Sequence, residues 1–204
     1  MRVEHIVICK LHELTEEAQD KAHEEYLERF GWDIPAWREE NRESLEEFCK
    51  VFPVKAKNWS YGYRTDITSV IEFSAYDDDV WDLTGLRLRT WLINNFEEWL
   101  YKGKYIHIVT NLKPYSYKSK HSKAIIEPSC CPFTGYCMDE NLLDPIRKFI
   151  KEPDGRTLED LLNECLWSWV NACQEDYEYE MTFEFFKEHA EANEWEFYQN
   201  GKMI

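Results

Sequence analysis

Apolar residues fall at helical spacing over most of the chain and at strand spacing over a few short runs. The longest helical pattern starts at Thr157, with Asp160 three residues later as a capping-box signal. Leu158, Leu161, Leu162, Cys165, Leu166, Trp169 and Cys173 then recur on one face, and Glu159, Asp160, Asn163, Glu164, Asn171 and Gln174 occupy the other. This helix is expected to be the central core element, with Leu162 and Trp169 buried. The acidic, tyrosine-laced run Glu175-Asp176-Tyr177-Glu178-Tyr179-Glu180 is read as following it. Thr182 opens a second short helix carrying Phe183, Phe186 and Ala190, and Asn200-Gly201 marks a C-terminal β-hairpin.

Earlier in the chain, His5 to Leu11 is a β-branched run read as a strand. Thr15 caps a helix with Glu16 and Glu17 in its first turn, where the helix dipole favours acid. Its apolar positions are Ala18, Ala22, Tyr26 and Phe30, and Gly31 ends it. Asp33 and Pro35 open the next helix, whose inner stripe is Trp37, Leu45, Phe48 and Phe52. Lys55 to Tyr63 and Ile67 to Ala75 read as strands joined around Arg64-Thr65-Asp66. Leu83 to Tyr101 reads as a helix with Leu88, Trp91, Leu92, Phe96 and Trp99 inside. Tyr105 to Asn111 reads as a strand, and Leu142 to Lys151 as a short helix with Pro145 near its start. Hairpin-joined strands followed by long helices predict an α+β fold: a small antiparallel sheet with several packed helices. A single compact domain spanning residues 1–204 is expected, with a possible subdivision near residue 127 into an α/β part and a mainly helical acidic part.

Composition changes this picture in two ways. Aromatics at 16% and charged residues at 31% argue for a folded core over disorder. Seven scattered cysteines, with no leader-like start and no long apolar run, point to reduced thiols in a cytoplasm and no membrane span.

The net charge is −16, unevenly spread. Residues 12–52 hold 13 acids and 5 bases, a net of −8; residues 157–204 hold 12 acids and 2 bases, a net of −10. Residues 101–126 hold 6 lysines and no acid. Such acidity opposes contact with nucleic acid over most of the surface and favours a basic protein partner; it also serves solubility alone. Glu39, Glu43, Glu46 and Glu47 line the outer face of the second helix, together with Glu40. With Glu175, Asp176, Tyr177, Glu178, Tyr179 and Glu180 they are the candidate partner-binding residues, carboxylates standing where phosphates would. Trp167, Val170 and the lysine loop at 112–123 are the alternative contact surface. Direct nucleic-acid binding is unexpected except through Lys113, Lys118, Lys120 and Lys123, which interleave with Tyr115 and Tyr117; neutralising the chain's own acidic face is the plainer account.

The remaining candidates for chemistry are sparse. Cys130, Cys131 and Cys137 lack the second closely spaced pair of a structural zinc site, so they are read as packing or free thiols around a Thr134-Gly135 turn, with His107 or His121 the only nearby imidazoles in sequence. Asp77, Asp78 and Asp79 match no calcium loop. No HExxH, no glycine-rich phosphate loop and no GxSxG elbow occurs. No catalytic residue, metal or cofactor is expected.

Three stretches carry a likeness. LHELTEEAQDKAHEEY near the start resembles the "ELSEEAKEKAIEEY" opening of many proteins from bacteriophages and mobile elements of Gram-positive bacteria. CPFTGYCMDENLLDPIRKFIKEPDGRTLEDLLNECL and HAEANEWEFYQNGKMI are similar to the rest of that family. Residues 53–126 lie outside these stretches. Such proteins are often labelled "antitoxin of a toxin–antitoxin stability system", a label that brings no active-site residue with it. The resemblance implies a phage or mobile-element protein acting in the host cytoplasm. It is expected to inhibit a host defence effector by binding, with a CRISPR nuclease as the leading target and nucleic-acid mimicry as the mode. An antitoxin-like protein that neutralises a toxin is the first alternative, and a small metal- or thiol-dependent enzyme the second.

Overall fold

A computed structural model describes residues 7–30, 38–61, 70–75, 80, 82–102, 127–128 and 131–204. Its described elements are six helices and three short antiparallel strand pairs, an α+β fold. In order they are β1 (Ile8–Cys9), α1 (Glu16–Phe30), α2 (Arg38–Val51), β2 (Val54–Ser60), β3 (Val70–Ala75), α3 (Gly85–Leu100), β4 (Tyr101–Lys102), β5 (Glu127–Pro128), α4 (Met138–Lys151), α5 (Leu158–Glu180), α6 (Phe183–Ala192) and β6 (Phe197–Tyr198). The strands pair as β1–β6, β2–β3 and β4–β5, where the sequence pattern pointed to one four-stranded sheet. The expected strand at 105–111, the turn at 64–66 and the start of the second helix at Asp33 and Pro35 lie outside the described residues.

The chain divides into two units, and the division is not near residue 127. Residues on both sides of that point belong to the larger unit, which takes in Arg38–Ser60 and the described residues of Thr68–Ala172. The smaller unit joins the described residues up to Phe30, and Tyr61, with Cys173–Ile204. Helix α5 supplies residues to both.

In the smaller unit, Leu11, Leu14, Ala18, Ala22 and Tyr26 pack with Phe186, Ala190, Phe197 and Met203. The N-terminal strand is shorter than its β-branched run, because the chain turns at Lys10 into a 3-10 turn at Leu11–Glu13. There the Lys10 amide donates to the Glu13 carboxylate at 2.7 Å. Thr15 accepts from the Ala18 amide at the start of α1, and Thr182 caps α6 by accepting from the Phe185 amide at 3.2 Å. The hairpin at Asn200-Gly201 brings Met203 back onto Phe197, and β6 then pairs with β1 through Ile8–Tyr198 and Cys9–Phe197.

The core of the larger unit forms from Leu45 and Phe48 of α2, Leu88 and Leu92 of α3, Leu142, Ile146 and Phe149 of α4, and Leu158, Leu162 and Trp169 of α5, all buried. Trp169 is fully enclosed: its Nε1 donates to the Asn41 carbonyl at 3.0 Å, and the Trp59 ring meets it edge-on. Burying a side chain of this kind contributes roughly 1.5–3 kcal/mol. Trp91 and Trp99 are half-buried at a cleft beside α3, not inside it as the spacing predicted. The helix backbone departs from helical angles at Phe96, between the two tryptophans.

Helix α4 starts at Met138, about one turn before the expected start at Leu142. The reason is Asp139. Its buried carboxylate accepts from the amides of Phe133 (2.9 Å), Thr134 (2.8 Å) and Gly135 (3.2 Å) and from the Thr134 hydroxyl (3.1 Å). The preceding loop is thereby tied to the helix start, and Pro145 falls in the helix interior.

Candidate protein-binding surfaces

The acidic run at 175–180 is not a segment beyond α5 but its last turns. A helix turns 100° per residue, so neighbouring residues in this run face different ways. Glu175, Asp176, Glu178 and Tyr179 are exposed; Tyr177 and Glu180 are buried. Of the six residues expected to meet a partner, Tyr177 and Glu180 are therefore not at the surface. Tyr177 and Glu180 face inward, and the charge on Glu180 contributes, after burial itself, to raising the nearby Tyr26 hydroxyl pKa.

Asp176 is exposed overall, yet its carboxyl is partly desolvated. That desolvation, with the Glu175 charge, holds its carboxyl above the ordinary aspartate range. Gln174 donates to Glu178 at 2.8 Å. The Tyr179 hydroxyl donates to Glu188 of α6 at 3.4 Å, and the carboxylates around it, Glu188 first, push its pKa up.

On α2, Glu39, Glu43 and Glu46 are exposed and Glu47 is half-exposed, as the helical pattern predicts. This face is partly neutralised from within. Arg42 reaches Glu39 at 2.6 Å and Glu46 at 3.4 Å, and Lys50 pairs with Glu47. Exposed pairs of this kind contribute little to stability, but they do lower the field the helix presents.

The two acidic stretches of the sequence therefore do not survive as drawn. The block at 12–52 splits between units: α1 goes with the smaller and α2 with the larger. Across residues 7–30 and 173–204 the smaller unit holds 16 acids against 5 bases, a net of −11 out of the −16 of the whole chain. Its exposed acids include Glu16, Glu17, Asp20, Glu24 and Glu28 on α1, and Glu184, Glu188 and Glu191 on α6. These are residues that the sequence reading had not singled out for contact. Their mean spacing on surface-facing helical positions is visible in the sequence, but their gathering into one unit is not.

Beside these acids runs a continuous row of rings. Tyr179 meets Phe185 edge-on at 5.6 Å between centroids, and Phe185 stacks on His189 at 5.6 Å. His189 meets Trp195 edge-on at 5.2 Å, and Trp195 stacks on Phe30 at 6.2 Å. Every member of the row is exposed or half-exposed, Phe30 at 40% and Tyr179 at 48%.

The other candidates are placed as follows. Cys131 is half-buried and Cys137 exposed, at the two ends of the Asp139-held loop. Cys130, His107, His121, Asp77, Asp78, Asp79, Lys113, Lys118, Lys120 and Lys123 lie outside the described residues. Among the described residues no group of three or more His, Cys, Asp or Glu is placed to hold a metal ion. Burial pushes the Cys165 thiol far above its ordinary pKa, and the Cys49 thiol upward to a lesser degree, so neither is poised as a thiolate. Trp167 is exposed at 37%, whereas Val170 is fully buried and leaves the alternative contact surface. Among the described residues no helix is long and apolar enough to cross a membrane. Comparison with known protein families, curated proteins and solved structures finds no match for this chain.

Proposed function

We propose that this chain is a phage or mobile-element protein that inhibits a host defence effector by binding it in the host cytoplasm, with a CRISPR nuclease as the first target to test. The observation that carries the reading is the charge of the smaller unit, 16 acids against 5 bases across its residues 7–30 and 173–204. Nucleic-acid channels of such effectors are lined with lysine and arginine that hold backbone phosphates. Carboxylates on exposed helical faces offer the same acceptors, and their hydrogen bonds with guanidinium groups are of the strong, charge-assisted kind. The likeness of LHELTEEAQDKAHEEY and of the C-terminal stretches to phage and mobile-element proteins supports the same setting. In this reading the chain catalyses nothing. It occupies a groove that guide RNA or target DNA would fill.

The test is protection of phage or plasmid from CRISPR targeting in cells that express the protein, paired with binding of the purified protein to the purified nuclease. Guide RNA or target DNA is expected to compete. Reversing Glu175, Asp176 and Glu178 to lysine, all three exposed, is expected to remove protection while the thermal transition stays in place. Full protection by that variant, or a ternary complex from which no nucleic acid is displaced, overturns the mimicry. Recovery of a small toxin protein in place of a nuclease establishes the antitoxin-like function instead.

A further inference from the structure

The row of rings Tyr179, Phe185, His189, Trp195 and Phe30 is out of keeping with a surface kept acidic for solubility alone. Helix α6 places Phe186 and Ala190 inward, which satisfies the core of the smaller unit. Phe185 and His189 stand one helical position away from those residues, Phe185 half-buried and His189 exposed. Glu184, Glu188 and Glu191 follow at spacings of four and three, so they form an exposed carboxylate edge along the same helix. Tyr179 bridges the two features, stacked edge-on against Phe185 and hydrogen-bonded to Glu188. Phe185 and Trp195 are half-buried, Trp195 with its inner side against the core, while Tyr179, His189 and Phe30 are exposed; a contiguous, partly exposed aromatic surface rimmed by charge marks an interaction site.

We propose that this row is a docking surface for an arginine-rich protein segment, with guanidinium groups lying on the rings of Phe185, Trp195 and Phe30 and pairing with Glu184, Glu188 and Glu191. Charge complementarity selects a cationic partner and excludes nucleic acid. The rings select arginine over lysine, because the planar, weakly hydrated guanidinium stacks on aromatic faces while the ammonium holds its water. The inference rests on the reading that the acidic unit binds a basic protein, and it extends the contact from the end of α5, through Tyr179, onto α6 and its neighbours.

The experiment titrates the full chain with an oligo-arginine peptide and an oligo-lysine peptide of equal length, at about 0.15 M salt, where exposed charges are screened beyond about 8 Å. The arginine peptide is expected to bind about tenfold more tightly than the lysine peptide. The paired change Tyr179→Ser and Phe185→Ser is expected to bring the two affinities together. Glu184→Gln, Glu188→Gln and Glu191→Gln, which keep every ring, are expected to weaken both peptides, so a folding defect in the first variant does not decide the matter. Equal affinity of the native chain for both peptides overturns the proposal. Loss of both affinities on reversing Glu175, Asp176 and Glu178 in that case retains the acidic reading, while no binding of either peptide defeats both readings. Saturable self-association in sedimentation, abolished by the two serine changes, assigns the row to a second copy of the chain and also overturns the proposal.

Discussion

Gly201 shows how closely one residue can be constrained. Its φ of 89° lies in the left-handed region, and a Cβ built there would sit 2.1 Å from the Ala18 carbonyl oxygen and 3.0 Å from its carbon. The close neighbour is helix backbone, which cannot swing aside as a side chain can. Gly201→Ala is therefore expected to cost about 3 kcal/mol, as strain and clash together, in chemical denaturation. A loss below about 1 kcal/mol would show that the hairpin shifts freely against α1. Asp176 carries a second expectation at this scale. Its folded carboxyl titrates above the ordinary range, first through desolvation and then through Glu175. A raised carboxylate pKa means that the folded state is penalised when the group is charged and that the penalty fades as pH falls through the folded pKa. Asp176→Asn is thus expected to be more stable than the native chain at neutral pH and to match it below about pH 3.9, the unfolded value. Denaturation midpoints compared at neutral and acid pH check the sign.

At the scale of elements, α5 is organised by its start and its buried stripe. The Thr157 amide and hydroxyl donate to Asp160 at 2.9 and 2.8 Å, and the Asp160 amide returns to the Thr157 hydroxyl at 3.2 Å. The hydrogen bonds from Thr157 hold the Asp160 carboxyl below its ordinary range. This contribution is present above the unfolded value and is lost as pH falls through the folded one. Just upstream, Arg156 pairs with Asp154 and Glu164 and lies over the Phe149 ring at 5.6 Å. Thr157→Ala is expected to cost about 1 kcal/mol, as lost caps do. Leu162→Ala is expected to cost about 2–5 kcal/mol, since Leu162 is fully buried. Equilibrium unfolding of the two variants should rank them in that order; a cap that costs more than the leucine would make the helix start, not its packing, the element that holds the larger unit together.

For the whole molecule the governing quantity is charge. With −11 gathered across residues 7–30 and 173–204 of the smaller unit, association with a basic partner should be fast at low salt and should weaken steeply as ionic strength rises. If the partner is the proposed nuclease, its affinity, measured from low to about 0.5 M salt, is expected to fall continuously with the logarithm of salt concentration, as charge-driven binding does. An affinity independent of salt would assign the contact to apolar surface such as Trp167.

The sequence by itself determined the helices that have caps and a one-sided apolar stripe. Thr15, Thr157 and Thr182 each open a helix, and Leu45, Phe48, Leu162 and Trp169 are all buried as their spacing requires. It also determined the hairpin at Asn200-Gly201, because that turn is local chemistry. The tertiary structure alone decided three things. It extended α5 through the acidic run, because in a 23-residue helix the inward positions at Tyr177 and Glu180 continue a stripe that the carboxylates between them conceal. It started α4 early, because the Asp139 carboxylate collects amides that precede it in the chain. And it brought the two ends of the chain into one acidic unit, pairing β1 with β6 and packing Ala18 and Tyr26 with Phe186. Caps and stripes act over a few residues and leave a local signature. The pairing of distant segments depends on which apolar faces meet, and no short stretch of sequence carries that information.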